Sequence, residues 1–143
     1  MRFMMIVKAN ADSEAGALPS SEELATMGKY NDQLIAAGIL LTAEGLQSST
    51  NGFRVKFDGT GKTAVTDGPF TETKELVAGF WIIDVKSKDE ALAWARRIPF
   101  SHGEEVEVRK VFETTDFPAD SVSEETLRKE AEWRAATQKP IQP

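Results

Sequence analysis

Asp67, Glu72, Lys74 and Glu75 fall close together in the stretch TDGPFTETKE, Thr66 to Glu75. A plain connector needs only residues permissive in φ and ψ. This one adds two glutamates, a lysine and an aromatic to an Asp-Gly-Pro bend. A carboxylate shielded from water titrates closer to neutrality and can act as a general acid or base. Asp67 is therefore the candidate catalytic residue, at a strand end and aimed into the space beside the sheet. A lysine among carboxylates can hold a substrate anion or keep a neighbouring carboxylate ionised. Glu72, Lys74 and Glu75 are candidate substrate-binding residues on that ground, with Phe70 anchoring the bend in apolar surroundings. Each has a plainer reading. A turn aspartate commonly accepts backbone N–H groups two residues on, and charged loop residues are mostly solvated.

Two further ionisable residues lie within strand-like segments. Glu44 interrupts the apolar run around AEGL, so it belongs to an edge or to a pair. Arg109, in VEVRKV, presents a planar fork suited to bidentate pairing with one of these carboxylates, as ligand clamp or as structural ion pair. Both join the substrate-binding candidates. His102 is the only histidine, and the flanking Ser101 and Gly103 place it in a loop. One histidine with Glu104, Glu105 and Glu107 at loose spacing makes a poor metal set, so it reads as a surface residue and no metal is expected. Cysteine is absent, which excludes disulfides, thiolate nucleophiles and cysteine-ligated zinc. The glycines of DGTGK lack the GxxxxGK[ST] pattern of a phosphate loop, and a hairpin turn accounts for them. Trp81, Trp94 and Phe80 read as core or interface aromatics. No cofactor is expected.

These residues need elements to hold them. The chain has 143 residues, 41% hydrophobic and 28% charged, which suits one soluble domain with its own core. A formal net charge of −6, with no dense basic patch, argues against direct contact with nucleic acid. No apolar run reaches membrane-spanning length, so no membrane partner is expected. MRFMMIVKAN has neither the length nor the cleavage site of a signal peptide, and a cytoplasmic location follows by default. Phe3–Val7 reads as a buried strand. Ser20 and Glu23 form a capping box for a helix with Leu24, Met27, Leu34 and Ile35 inward, ending at Gly38. A second strand spans Ile39–Leu46, a hairpin pairs Phe53–Phe57 with Thr63–Thr66, and a strand covers Val77–Val85. Ser87 and Glu90 suggest another capping box, opening a helix with Ala91, Leu92, Ala95 and Ile98 inward that stops near Pro99. The last strand runs from Val106 to Phe112. From Pro118 the chain becomes a charged helical segment with a thin stripe of Leu127, Ala131 and Ala135.

The order βαβ, hairpin, βαβ implies an α+β, ferredoxin-like antiparallel sheet with helices on one face, and an extra C-terminal helix. The domain spans residues 1–117 and the helical extension residues 118–143. Strand Val77–Val85 is apolar on both faces, while two helices cover only one. A second copy of the sheet, in a two-fold homodimer closing a barrel, would cover the other. The alternative is the C-terminal helix folding back over it.

DGPFTETKE, followed by AGFWIIDV, DEALAWARRIP and VEVRKV, resembles the YCII-related family in its DGPF-domain branch. The resemblance spans Arg2 to about Val111. It implies a dimeric ferredoxin-like α+β barrel without one established activity. Related barrels include lactone isomerases, dehydrochlorinases and cofactor-free monooxygenases, and some DGPF relatives accompany extracytoplasmic-function sigma factors. Phe100-Ser101-His102-Gly103 and the charged tail depart from the pattern. Two functions are expected on this basis. The first is a small cofactor-free enzyme doing isomerisation or elimination on a small organic molecule in a pocket lined by the DGPF loop. The second is a non-catalytic dimer that binds a ligand or serves as a transcription-associated accessory protein.

Overall fold

A computed structural model describes residues 1–143. The elements follow in the order β1 (Arg2–Lys8), α1 (Ala11–Glu14), α2 (Ser21–Ala36), β2 (Leu40–Gly45), β3 (Phe53–Phe57), β4 (Thr63–Asp67), β5 (Val77–Asp84), α3 (Lys88–Ala95), β6 (Val106–Lys110) and α4 (Glu124–Thr137). The main sheet has the order β2-β5-β1-β6, with every neighbouring pair antiparallel. This is the ferredoxin-like α+β arrangement, and β3 and β4 form a separate two-stranded ribbon inserted between its halves. No helix is long and apolar enough to cross a membrane.

Local signals account for the element ends. Ser20 accepts the Glu23 N–H at 3.2 Å, and the Glu23 carboxylate accepts the Ser20 N–H at 2.7 Å. This reciprocal box satisfies two orphan donors at the start of α2, and it holds the Glu23 carboxyl below its usual range. Gly38, at φ +69°, ends the helix in the left-handed region. At α3 only half of the expected box forms. Ser87 accepts the Glu90 N–H, but the Glu90 carboxylate reaches back to the Lys86 N–H instead.

The core lies between one face of the sheet and helices α2 and α3. Phe3 and Met5 of β1 and Trp81 and Ile83 of β5 meet Tyr30 and Leu34 of α2 and Ala91 of α3. Met5, Leu34, Leu40 and Ile83 are fully buried, each worth roughly 1.5–3 kcal/mol of transfer free energy. Two expected inward positions are corrected: Leu24 is 58% and Leu92 46% exposed. Tyr30 fills the α2 face, with its ring edge-on to Trp81 and its hydroxyl donating to the Trp94 carbonyl. The Trp81 indole N–H donates to Asn31, so the aromatic core keeps its polar atoms paired.

Strand β5 buries Gly79, Trp81 and Ile83 on the helix side, while Ala78, Phe80 and Ile82 on the other face stay half-exposed. Met4 and Ile6 of β1 lie beside them, opposite Ile82 and Phe80. Helix α4 buries none of its residues. Its ties to the body are Arg134 to Glu113, Gln138 to Arg2, and the following tail at Ile141 N–H to the Leu40 carbonyl. The C-terminal segment thus reaches the second face of the sheet at its Arg2 end, where Arg2 is buried, while Met4, Ile6, Phe80 and Ile82 farther along that face stay half-exposed.

Candidate functional site

The antiparallel pairing sets Val7 of β1 opposite Gly79 of β5 and Val106 of β6, and Gly45 of β2 opposite Gly79. Strands β1 and β2 thus end, and β5 and β6 begin, at one end of the sheet. The TDGPFTETKE stretch runs directly into β5, so it lands at that end. The Ala9 N–H donates to the Leu76 carbonyl there, and the Lys8 N–H to the Glu105 carbonyl.

The bend itself is seated on the turn between β2 and β3. Gly68 is required by close approach: a Cβ there would lie 1.7 Å from the Ser49 carbonyl oxygen. The Gly68 N–H donates to the Gly52 carbonyl, and the Phe70 N–H donates to Ser49 Oγ at 2.9 Å. Ser49 in turn donates through both its N–H and its hydroxyl to the Glu14 carboxylate at the end of α1. The half-buried Phe70 ring lies under the Arg54 guanidinium, 3.8 Å from its centroid. A chain of contacts therefore runs from the bend through Ser49 to Glu14.

That chain floors a cleft of about 340 Å³, lined by Glu14, Ser48, Ser49, Arg54 and Phe70 among others. Neither Glu14 nor Arg54 is in an ion pair. Glu14 is half-buried and held by neutral donors, so the cleft contains a carboxylate and a guanidinium that no ion pair neutralises. Lys74 lies on the far side of the same stretch. It shares a polar cleft of about 440 Å³ with Lys8, Asn10, His102 and Glu104. A third, more apolar cleft of about 310 Å³ lies between α2 and the sheet, with Met27, Trp81 and Phe100 in its walls and Glu44 among its lining.

The sequence-derived candidates are thus divided among separate places. Asp67 is exposed at the end of β4, opposite Phe53. Phe70 lines the Glu14 cleft and Lys74 the polar one, while Glu72 and Glu75 are exposed on the turn before β5. Glu44 is exposed on β2, opposite Phe80. Arg109 does not face it. The strand order puts β2 and β6 on opposite edges, three inter-strand spacings or roughly 14 Å apart. Arg109 instead lies 3.7 Å from Glu107, two residues away on the same face of β6. Glu107 also pairs with Lys8 at 3.0 Å, and the Lys8 hydrogen bond, chiefly, holds its carboxyl below the usual range.

His102 is exposed in a loop, as expected, with its backbone N–H on the Glu104 carboxylate. The DGTGK segment is a hairpin turn. Asp58 Oδ1 accepts the Thr60 N–H and hydroxyl and the Lys62 N–H; the Thr60 backbone bond first among these lowers its pKa. Glu14, Ser49 and Arg54 escaped sequence reasoning. The one available signal was Gly68, whose lack of a side chain marks a close neighbour without identifying it.

A family model described as the YCII-related domain matches residues 1–115, ending before α4. Among curated proteins, an uncharacterized protein of Rhizobium meliloti (strain 1021) is 61% identical over 36 residues, which cover 25% of this chain and 29% of that protein. The match thus spans less than a third of that relative's length. Among solved structures, the chain is similar to a 5-chloro-2-hydroxyhydroquinone dehydrochlorinase from Burkholderia phenoliruptrix AC1100 in complex with 2,5-dihydroxybenzoquinone. The TM-score is 0.42 and the identity 18%, over 80% of this chain and 98% of that one.

Proposed function

The chain belongs to the YCII-related domain family, and from that premise we propose that it is a small cofactor-free enzyme performing acid–base chemistry on a small organic anion. The observation that carries this reading is the cleft under the DGPF bend. It joins an unpaired, half-buried carboxylate (Glu14) to an unpaired guanidinium (Arg54) beside an aromatic wall (Phe70). Arg54 would hold the anionic group of the substrate. Glu14 would take a proton from a carbon next to a carbonyl, with Arg54 balancing the negative charge that develops on oxygen. Returning the proton at another carbon completes an isomerisation; departure of a leaving group completes an elimination. Ser49 positions Glu14 through two hydrogen bonds. In this reading Glu14 takes the role that the sequence assigns to Asp67.

The incompletely covered sheet face supports a two-fold homodimer as the working form. Met4, Ile6, Phe80 and Ile82 make a half-exposed apolar surface there, and a second copy of the same sheet would cover it.

Proton chemistry can be tested without knowing the natural substrate. A panel of small keto acids and enolisable ring carboxylates is incubated with the protein in D₂O, and exchange of the acidic C–H is followed by ¹H NMR. Glu14→Gln should abolish exchange of any compound that the wild type labels, and Asp67→Asn should leave it near wild type. The opposite pattern returns the role to Asp67. A wild type that binds members of the panel without exchange supports the non-catalytic ligand-binding function instead.

A further inference from the structure

All ten residues of the β3–β4 ribbon are exposed in the single chain. The exposure is not uniform in kind. Residues along a strand alternate between faces, and the register pairs Val55 with Val65 and Phe57 with Thr63. One face therefore carries Phe53, Val55, Phe57 and Val65, which are 66%, 41%, 76% and 64% exposed, with Thr63 and Asp67 at its two ends. The other carries Arg54 and Lys56. Arg54 stacks on the Phe70 ring of its own chain, so the basic face looks inward to the DGPF cleft and the apolar face looks away from the body. An isolated two-stranded ribbon is marginally stable in water, and an outward apolar face of this kind marks an interaction site.

We infer that this ribbon is an inter-subunit arm whose Phe53–Val55–Phe57–Val65 face packs on a second copy of the chain; this rests on the homodimer proposed above. Area selects the occupant. Taking about 200 Å² for a free Phe and about 150 Å² for a free Val, the four side chains leave roughly 400 Å² of apolar surface uncovered. In a two-fold contact each of two arms would bury that area and an equal area of its partner, a total of roughly 1,600 Å². That is the size of a standard specific interface. A single unrelated partner on one arm would bury only about half as much, below the range of stable complexes. Docking the outward face of the ribbon would hold its inward face still. Arg54 would then be fixed over Phe70.

The Phe53→Ser/Phe57→Ser double variant alters only side chains exposed in the single chain, so the fold should survive, which circular dichroism verifies. Sedimentation equilibrium from submicromolar to 100 µM (roughly the range in which specific dimers dissociate) should show a wild-type dimer, with the dissociation constant of the variant raised at least about a hundredfold. As a second measurement, the chain has no cysteine, so Val65→Cys introduces a unique thiol. Maleimide should label it at least about tenfold more slowly at dimer-forming concentration than after dilution. A wild-type dimer whose variant dissociates at the same concentration, with Val65→Cys labelled equally fast at both concentrations, overturns the arm and leaves the dimer standing. A wild type that stays monomeric overturns both, and assigns the ribbon to a partner of another kind.

Discussion

Gly68→Ala should undo the seating of the DGPF bend, and its cost can be worked from contacts. The added methyl would lie 1.7 Å from the Ser49 carbonyl oxygen, 2.6 Å from the Ser49 carbonyl carbon and 3.2 Å from the Thr50 nitrogen. All three are backbone atoms, so no flexible side chain can yield. The bend and the 49–50 turn must separate by roughly 1.5 Å or more to reach ordinary van der Waals contact. That movement breaks the Gly68 N–H to Gly52 carbonyl bond and the Phe70 N–H to Ser49 Oγ bond, about 1 kcal/mol each. Residual strain adds about 1–2 kcal/mol. The total is about 3–4 kcal/mol, or a fall of roughly 2 M in the urea midpoint for a chain of this size. Gly28→Ala is the control. Nothing lies within 4 Å of a Cβ at Gly28 in mid-α2, so better helix propensity should stabilise by about 0.5–1 kcal/mol. Urea unfolding followed by tryptophan fluorescence measures both, and hydrogen exchange at the Phe70 amide reports the bend alone. A Gly68→Ala variant with a wild-type midpoint and wild-type Phe70 protection would refute the reasoning.

Burial raises the pKa of Tyr30, the single tyrosine, to about 12. An unfolded tyrosine loses its proton near pH 10, so this contribution is intact below that pH and is lost as pH rises toward 12. Tyr30→Phe should cost about 1 kcal/mol at pH 7 through the lost bond to Trp94. It should then lose up to about 2–3 kcal/mol less than wild type between pH 10 and 12; parallel stability curves would contradict this. Truncation after Phe117 removes Arg134–Glu113, Gln138–Arg2 and the Ile141–Leu40 bond but no buried side chain. A folded chain about 1–2 kcal/mol less stable is expected by thermal melting, whereas an insoluble product would place Leu127 and Trp133 in an essential interface.

The sequence by itself determined the six strands and the three longer helices, and therefore the ferredoxin-like order, but not the single turn of α1 at Ala11–Glu14. Alternation in FRVKF, the apolar run through FWII and the Ser20–Glu23 box act between residues a few positions apart, and such interactions survive in any tertiary setting. The two-sided apolar character of β5 was legible for the same reason, since the count of helices could be set against the count of apolar faces. The rotational phase of each helix was not. A 3.6-residue stripe admits neighbouring choices, and packing against Trp81 turned Tyr30 inward and left Leu24 in water.

The site depended still more on tertiary structure. Arg109 was set beside Glu107 and away from Glu44 by the strand order, which no local pattern encodes. Glu14 met Ser49, and Ser49 met Phe70, across separations of 35 and 21 residues. Short polar residues in loops look alike in sequence, because a carboxylate or a hydroxyl acquires its role from whatever the fold brings within 3 Å or so of it. Gly68 belongs to both accounts. Its residue type marked a bend in the chain, and only the folded chain showed that the glycine is needed for close approach to the Ser49 carbonyl.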